Sequence, residues 1–217
     1  MERKEPQGRA AGARRRHFTM LRDFSLADVI TLANGFAGTA SILAVLKYLE
    51  ARDQRYLWAA FACLPFAAVF DYLDGRVARW RRKNSMLGAD LDSLADLVSF
   101  GVAPAVLAFA TGMSGGLDAA VLVYFVGCGI SRLARYNATA SALADESGKV
   151  AYFEGTPIPT SLALVLVLAV LTWQRRIGVA LPFGEVELLG LRLHPLVLMY
   201  LVSGSLMISK TLRIPKV

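Results

Sequence analysis

Long apolar segments separated by short polar ones make up most of this 217-residue chain. A helix needs roughly 20 mostly apolar residues to cross the hydrocarbon core of a bilayer. Six segments approach that length, so the pattern predicts an all-α integral membrane protein with six transmembrane helices. The predicted spans are residues 27–49, 55–75, 91–111, 117–137, 159–174 and 194–209. The composition agrees, because 55% of the residues are hydrophobic and the mean hydropathy is +0.47.

The chain ahead of the first predicted span is polar and basic. Residues 1–16 have the composition of a disordered basic tail, and residues 17–217 are predicted to form one membrane domain. Within residues 17–30, four apolar side chains alternate with charged ones, which predicts an amphipathic helix lying in the membrane interface. A solvated lead-in to the first span is the alternative interpretation.

The distribution of basic residues predicts the orientation of the chain in the membrane. If the N-terminus is cytoplasmic, 18 of the 24 Lys and Arg residues fall on the cytoplasmic side. Positive charge concentrates on that side of membrane proteins, so both termini are predicted to be cytoplasmic. The net charge of +7 is then explained by topology and by attraction to lipid headgroups. We therefore expect the lipid bilayer as a partner and no nucleic acid.

Acidic residues cluster where the second predicted span ends and the third begins. Carboxylates near a bilayer are energetically costly, so a cluster of them indicates a functional site. At helical spacing, two stripes of small and acidic residues form, one on each helix. The first stripe consists of Asp71, Asp74, Gly75 and Ala78, with Arg79 at its edge, and the second of Gly88, Asp92 and Asp96. Antiparallel helices joined by a short loop are neighbours, so the two stripes are predicted to converge.

Convergent carboxylates of this kind favour divalent cations. Several carboxylates within a few ångströms cannot all remain ionised without positive charge between them. Ligands that are all oxygen select Mg²⁺, Mn²⁺ or Ca²⁺, and two such ions would bind a pyrophosphate. Gly75 and Gly88 would admit a substrate close to the backbone, and Arg79 would hold a phosphate oxygen. The alternative, an ion-pair face with glycine packing notches, explains an isolated Asp–Arg pair better than eight positions in register.

The pattern from Asp71 to Asp96, D-x2-D-G-x2-A-R-x8-G-x3-D-x3-D, resembles in full the signature of the CDP-alcohol phosphotransferases. That resemblance implies a six-helix membrane enzyme that uses two divalent ions, Mn²⁺ or Mg²⁺, and a CDP-linked donor. Two departures from the related sequences are mild, Tyr136 in place of Phe and Thr156 in place of Leu. Four further segments resemble the branch of the family that uses serine, most closely its fungal type. They are Leu26–Phe36, Ser131–Asn137, Tyr152–Pro159 and Met207–Lys216.

The resemblance implies transfer of the phosphatidyl group of CDP-diacylglycerol to L-serine, which yields phosphatidylserine and CMP. In that reaction the serine hydroxyl attacks phosphorus in line with the departing CMP. Asp71, Asp74 and Asp92 would be the main metal ligands. Asp96 would be the general base, with a possible share in the second ion.

The resemblance also implies which residues hold the two substrates. The expected CDP-diacylglycerol-binding residues are Asn34, Asp74, Gly75, Ala78, Arg79 and Gly88, and the expected serine-binding residues are Arg132, Arg135, Tyr136 and Glu154. Arg132 would take the serine carboxylate. Alternatives stay open for several of them: the arginines as topological anchors, Asn34 as a packing residue and Glu154 as a partner of Lys149. Asn137 has no assigned role, and His17 and His194 are predicted to be solvated at the membrane interfaces.

The remaining expectations concern assembly, location and competing functions. The resemblance implies a homodimer or higher homo-oligomer with its active site facing the cytoplasm. The membrane would be that of the endoplasmic reticulum if the protein is fungal and the plasma membrane if it is prokaryotic. The signature alone also permits inositol, inositol phosphate, glycerol phosphate or choline as acceptor. A cation transporter is less favoured, because transporters usually show an inverted repeat with acidic residues at the membrane midplane.

Overall fold

The computed structural model describes residues 26–81, 86–144, 152–188, 190–209 and 213–215. For residues 78–81, 86, 140–144, 152–154 and 213–215, only the course of the backbone is described. The expected disordered tail and most of the expected interfacial helix lie outside the described residues. Residues 26–30, the end of that expected helix, instead form the start of the first long helix.

Helices make up most of the described chain. Helix α3 continues through a π-helical turn, Leu97–Val102, into α4 without a break, so these three segments act as one rod. A π-helical turn is rare and often lies at a functional site. The helices are α1 (Leu26–Ala51), α2 (Gln54–Arg81), α3 (Met86–Asp96), α4 (Ala103–Ala110), α5 (Gly116–Ala144), α6 (Leu162–Trp173) and α7 (Leu198–Met207).

Four helical segments are long and apolar enough to cross a membrane: Leu26–Ala51, Gln54–Val77, Leu87–Ala110 and Gly116–Thr139. They coincide with the first four predicted spans and indicate a membrane protein. The last two predicted spans correspond to the shorter apolar helices Ile158–Trp173 and Pro195–Met207. At 1.5 Å per residue these helices are about 24 and 20 Å long, less than the roughly 30 Å of a typical hydrocarbon core. Complete spanning by these two helices stays a prediction.

Two small antiparallel sheets accompany the helices of this predominantly helical chain. Strand β1 (Tyr152–Glu154) pairs with β4 (Arg213–Pro215), and β2 (Val186–Leu188) pairs with β3 (Leu191–Leu193). Strands of three residues are too short to give an alternating pattern that the sequence would reveal. The β1–β4 pair joins the loop before α6 to the segment after α7.

Close packing places α1 directly beside the rod that carries the second acidic stripe. A Cβ atom at Gly38 would collide with the backbone and side chain of Ser99, so glycine is required at this contact. The Ser99 hydroxyl donates a hydrogen bond of 2.9 Å to the Asn34 carbonyl oxygen. On the other side of the rod, buried Tyr200 of α7 donates to the Pro104 carbonyl oxygen at 3.0 Å. These contacts fix α1 and α7 against the rod.

The expectation that His194 is a solvated interfacial residue is wrong. His194 is buried, and its Nδ1 lies 2.6 Å from Oδ2 of Asp118, which is fully buried. The carboxylate of Asp118 also accepts hydrogen bonds from the backbone N–H groups of Gly115 and His194, each at 2.8 Å. These contacts join the start of α5 to the segment before α7, far from the acidic cluster. His17 lies outside the described residues.

Candidate active site

Three of the four predicted acidic residues form one group between α2 and α3. One carboxylate oxygen each of Asp71, Asp74 and Asp92 lies within 4.8 Å of the other two. Asp74 is buried, and Asp71 and Asp92 are half-buried. The structure therefore brings the two acidic stripes together, as helical spacing and the short connection predicted. Their like charges repel at this distance unless positive charge lies between them.

Asp96 lies one turn beyond Asp92 on α3, beside this group and not within it. It is 8% exposed, and the charges of Asp71 and Asp92 act on it. Its Oδ1 accepts a hydrogen bond of 3.0 Å from Nδ2 of Asn34. The fourth acidic residue is thus a neighbour of the candidate metal ligands that is held by a neutral donor.

Helix α1 supplies hydrogen-bond donors to two of the four carboxylates. The Thr31 hydroxyl lies 2.6 Å from Oδ2 of Asp74, and Asn34 contacts Asp96. Thr31 is three residues before Asn34, so both lie on the same helix face. Neither Thr31 nor Ser99 was predicted to belong to the site. The spacing of Thr31 and Asn34 was the available signal for the first, and the contact of Ser99 with α1 had none.

The residues of this group fit a divalent cation. Oδ1 of Asp92 is buried and has no hydrogen-bond partner among the described residues. A buried carboxylate oxygen without a partner is costly, and a cation removes that cost. The only candidate ligands in the described group are carboxylate oxygens, which suit hard ions such as Mg²⁺, Mn²⁺ or Ca²⁺.

The stripe on α2 leaves room next to the carboxylates. A Cβ atom built at Gly75 would meet no atom within 4 Å in the described part of the chain. This glycine is therefore not a packing notch between described helices, and its open side admits a ligand to the backbone. Gly88 is half-buried at the start of α3. Ala78 and Arg79 belong to α2, but their side chains lie outside the described residues.

Arg132, one of the residues predicted to bind serine, lies close to Asp96. It is half-buried on α5, and the charge of Asp96 acts on its guanidinium. Nε of Arg132 is buried, with no hydrogen-bond partner among the residues described. Arg135 is exposed and Tyr136 is 46% exposed. Glu154 belongs to β1, and its side chain lies outside the described residues.

Asn137 connects α5 to α3. Its Oδ1 accepts a hydrogen bond from the Ser93 hydroxyl, and its Nδ2 donates to Oδ1 of Asp90, both at 3.2 Å. These bonds hold the end of α5 that carries Arg132 against the helix that carries Asp92 and Asp96. The contacts give Asn137 a bracing role, which the sequence left undecided.

Comparison with protein families matches this arrangement to a known enzyme group. The sequence model of the family described as CDP-alcohol phosphatidyltransferase matches residues 24–202, which is most of the chain. The chain belongs to the CDP-alcohol phosphatidyltransferase family. The match includes all the described helices of the site.

Three curated relatives of this CDP-alcohol phosphatidyltransferase carry the name CDP-diacylglycerol–serine O-phosphatidyltransferase. The relative from Saccharomyces cerevisiae is 46% identical over 92% of this chain and 74% of its own length. The relative from Mycobacterium leprae is 45% identical over 54% of this chain and 39% of its own length. The relative from Methanocaldococcus jannaschii is 33% identical over 69% of this chain and 62% of its own length. The similarity thus extends to yeast, bacterial and archaeal proteins.

Proposed function

We propose that this family member transfers the phosphatidyl group of CDP-diacylglycerol to L-serine and releases CMP. The names of the relatives from three lineages support serine as the acceptor. One observation in the structure carries the proposal. Arg132, a half-buried guanidinium whose buried Nε has no hydrogen-bond partner in the described part of the chain, lies near Asp96. A cation there suits an acceptor that brings its own carboxylate, and serine has one whereas inositol and choline do not.

We propose that Asp71, Asp74 and Asp92 hold divalent cations, Mn²⁺ or Mg²⁺, and that a pair of ions binds at this group. Such ions, when bound, neutralise the donor pyrophosphate and the charge that develops on the departing CMP. The Thr31 hydroxyl fixes the orientation of the Asp74 carboxylate. Oδ1 of Asp92 is buried without a partner among the residues that the structure describes, which supports its role as a ligand.

The proposed chemistry is a single displacement at the lipid-side phosphorus. The serine hydroxyl oxygen forms a bond to this phosphorus, and the bond from phosphorus to the bridging oxygen of CMP breaks. An alkyl hydroxyl is a weak nucleophile, so its proton must pass to a base within hydrogen-bond reach. Asp96 accepts this proton in our proposal. Asn34 holds one of the two Asp96 oxygens and leaves the other for the hydroxyl.

The donor would lie along the open face of α2, with Asp74, Gly75, Ala78, Arg79 and Gly88 around its CDP group. Asn34 is fully buried and donates to Asp96, so it would contact the donor through Oδ1, which has no partner among the described residues. Arg135, Tyr136 and Glu154 remain proposed serine contacts around Arg132.

Location and assembly are also proposals. We propose that the acidic end of the helices faces the cytoplasm, because that side would carry 18 of the 24 basic residues. The membrane would be the endoplasmic reticulum in a fungal cell and the plasma membrane in a prokaryotic one. The homodimer implied by the family resemblance remains a proposal.

An acceptor panel tests the proposed function. Purified full-length protein would receive CDP-diacylglycerol and Mn²⁺ together with serine, inositol, inositol phosphate, glycerol 3-phosphate or choline in parallel reactions. Of the five acceptors, we expect only serine to give CMP release, together with phosphatidylserine that mass spectrometry identifies. Faster CMP release with another alcohol would show that this alcohol, and not serine, is the acceptor. The transfer of a phosphatidyl group from CDP-diacylglycerol would still hold. Absence of CMP release with every alcohol, from folded protein, would overturn the proposal.

A further inference from the structure

A cavity of about 740 Å³ lies at the end of the helices opposite to the acidic cluster. Tyr48 of α1 and Phe109 of α4 line it, and they follow Asn34 and Asp96 by 14 and 13 residues. At 1.5 Å per helical residue, the cavity is about 20 Å from the candidate catalytic residues. It is therefore a separate space, and neither the proposed reaction nor its substrates use it.

The cavity has an apolar wall and a polar rim. Membrane-spanning helices supply part of the wall, and the segment between α6 and α7 supplies the rest. The apolar lining includes Leu49, Phe109, Ile177 and Leu181, and the polar lining includes Arg52, Ser114, Glu185, Arg192 and His194. Cavities of roughly 300–1,000 Å³ that combine apolar walls with a few convergent polar groups are typical of ligand sites.

The imidazole of His194 is held rigidly in this lining. Asp118 accepts three hydrogen bonds, one of them from Nδ1 of His194, and this contact fixes the plane of the ring. Nε2 of the same ring lies 3.9 Å from Oε2 of Glu185, which is beyond hydrogen-bond length. Because Nδ1 donates its proton to Asp118, Nε2 of the neutral ring is an acceptor, and among the described residues it is available to a ligand in the cavity.

The charges on the rim favour an anion. Arg52 and Arg192 bring two positive charges, and Glu185 brings one negative charge at a loose 3.8 Å from Arg192. Asp53, the acidic residue next to Arg52 in the chain, instead pairs with Arg55 at 2.8 Å. Two guanidinium groups around one cavity match the oxygens of a phosphate group.

We propose that this cavity binds the phosphate-bearing headgroup of an anionic phospholipid from the membrane leaflet on its side. Arg52 and Arg192 would contact the phosphate, and Nε2 of His194 would accept a hydrogen bond from a hydroxyl group of the headgroup. The acyl chains would leave the cavity along its apolar wall. A free phosphate ion offers the same polar chemistry but would leave that wall without a partner.

Native mass spectrometry of the purified full-length protein, with phosphatidylglycerol as the probe, tests this proposal. The variant Arg52→Gln/Arg192→Gln removes both cavity arginines. The matched control Arg175→Gln/Arg176→Gln removes two arginines of the same end that do not line the cavity. Each pair contains one residue with positive φ, Arg52 at 53° and Arg175 at 57°, so backbone strain is equivalent. Lipid bound at the acidic end adds the same amount to the lipid measured for both variants, because neither variant changes that end.

We expect the cavity variant to need a roughly tenfold or higher lipid concentration for half-occupancy, because two charge-assisted contacts are lost. The control should bind like the unmodified protein. Glu185→Gln should strengthen binding, since it removes a negative charge next to Arg192, a result that a purely structural role would not produce. Equal lipid binding by the two double variants would overturn the proposal. Displacement of the lipid by inorganic phosphate would also overturn it, by showing that the site takes the free ion.

Discussion

The two ends of the helical bundle both bury carboxylates, but they satisfy them differently. At one end, Asp118 is fully buried and accepts three hydrogen bonds, so its charge is met by donors of the protein itself. At the other end, Asp71, Asp74 and Asp92 approach one another, and a buried oxygen of Asp92 has no partner among the described residues. Burial of an acidic residue therefore does not identify a functional site. The shortage of donors does, because it leaves negative charge for a ligand to compensate.

Removal of divalent cations should have the largest effect. It should act on the acidic group of Asp71, Asp74 and Asp92 and not on Asp118, whose charge is met by protein donors. With excess EDTA, we expect CMP release from CDP-diacylglycerol and serine to fall by roughly a hundredfold or more, because the carboxylate group then lacks its counter-charge. Added Mg²⁺ or Mn²⁺ should restore it. Turnover that continues unchanged in the chelator would show that the acidic group works without metal ions.

Matched Asp→Asn variants, one at each end of the helices, test whether a buried carboxylate serves the reaction or the stability of the fold. Asp74→Asn should abolish most turnover with little loss of thermal stability, because the neutral amide still accepts from Thr31 but binds a cation poorly. Asp118→Asn should instead lower thermal stability and leave the turnover of the folded protein nearly unchanged. Its amide NH2 would face a donor of His194 or the backbone, at a cost of about 1–3 kcal/mol of unfolding free energy.

Thermal unfolding in detergent and CMP release would be measured for both variants. Loss of turnover by Asp118→Asn at unchanged stability would contradict the structural role that we assign to that end.

Substitution of Arg132 examines how the acidic end recognises serine. A charge-assisted contact to a carboxylate is worth roughly 1.5–3 kcal/mol, so Arg132→Ala should raise the serine KM about ten- to hundredfold. The KM for CDP-diacylglycerol should change little. Exposed Arg135 offers the matched variant Arg135→Ala, for which we expect a smaller change in the serine KM. An unchanged serine KM in folded Arg132→Ala would make Arg132 a topological anchor.

Two glycines differ in their surroundings, since Gly75 faces open space at the site and Gly38 is closely packed beside it. Gly75→Ala should keep the fold, since its Cβ meets no described atom, but should raise the KM for CDP-diacylglycerol roughly tenfold by occupying donor space. Gly38→Ala should mainly lower thermal stability, because its Cβ collides with Ser99. Normal donor kinetics of Gly75→Ala would show that the donor does not approach α2 at this residue.

The smallest expected effect concerns the hydrogen bond that Thr31 of α1 donates to Asp74. Thr31→Val removes the 2.6 Å hydrogen bond at nearly constant volume. We expect the Mn²⁺ concentration for half-maximal activity to rise about three- to tenfold, as expected for loss of a hydrogen bond to a charged group. Thr39→Val is the control on the same helix, because Thr39 is exposed and its hydroxyl donates to the Gly35 carbonyl oxygen of α1 itself. Equal metal dependence of the two variants would remove Thr31 from the site.

Local sequence patterns predicted the helices and the acidic group. Apolar segments of membrane length correspond to four long helices, because hydrophobic length and helical geometry act within one segment. The convergence of Asp71, Asp74 and Asp92 also follows from spacing along two consecutive helices with a short connection. The family resemblance of this motif is confirmed by the match over residues 24–202.

Contacts between distant segments were decided only by the tertiary structure. Thr31 and Asn34 mark one face of α1, but the sequence of α1 does not show which of the other helices that face meets. The contacts of Thr31 with Asp74 and of Asn34 with Asp96 depend on that face. Asp118 and His194 are 76 residues apart, and no periodic pattern connects them. Spacing determines which residues share one helix, whereas the packing of helices against each other determines which buried charges find a donor.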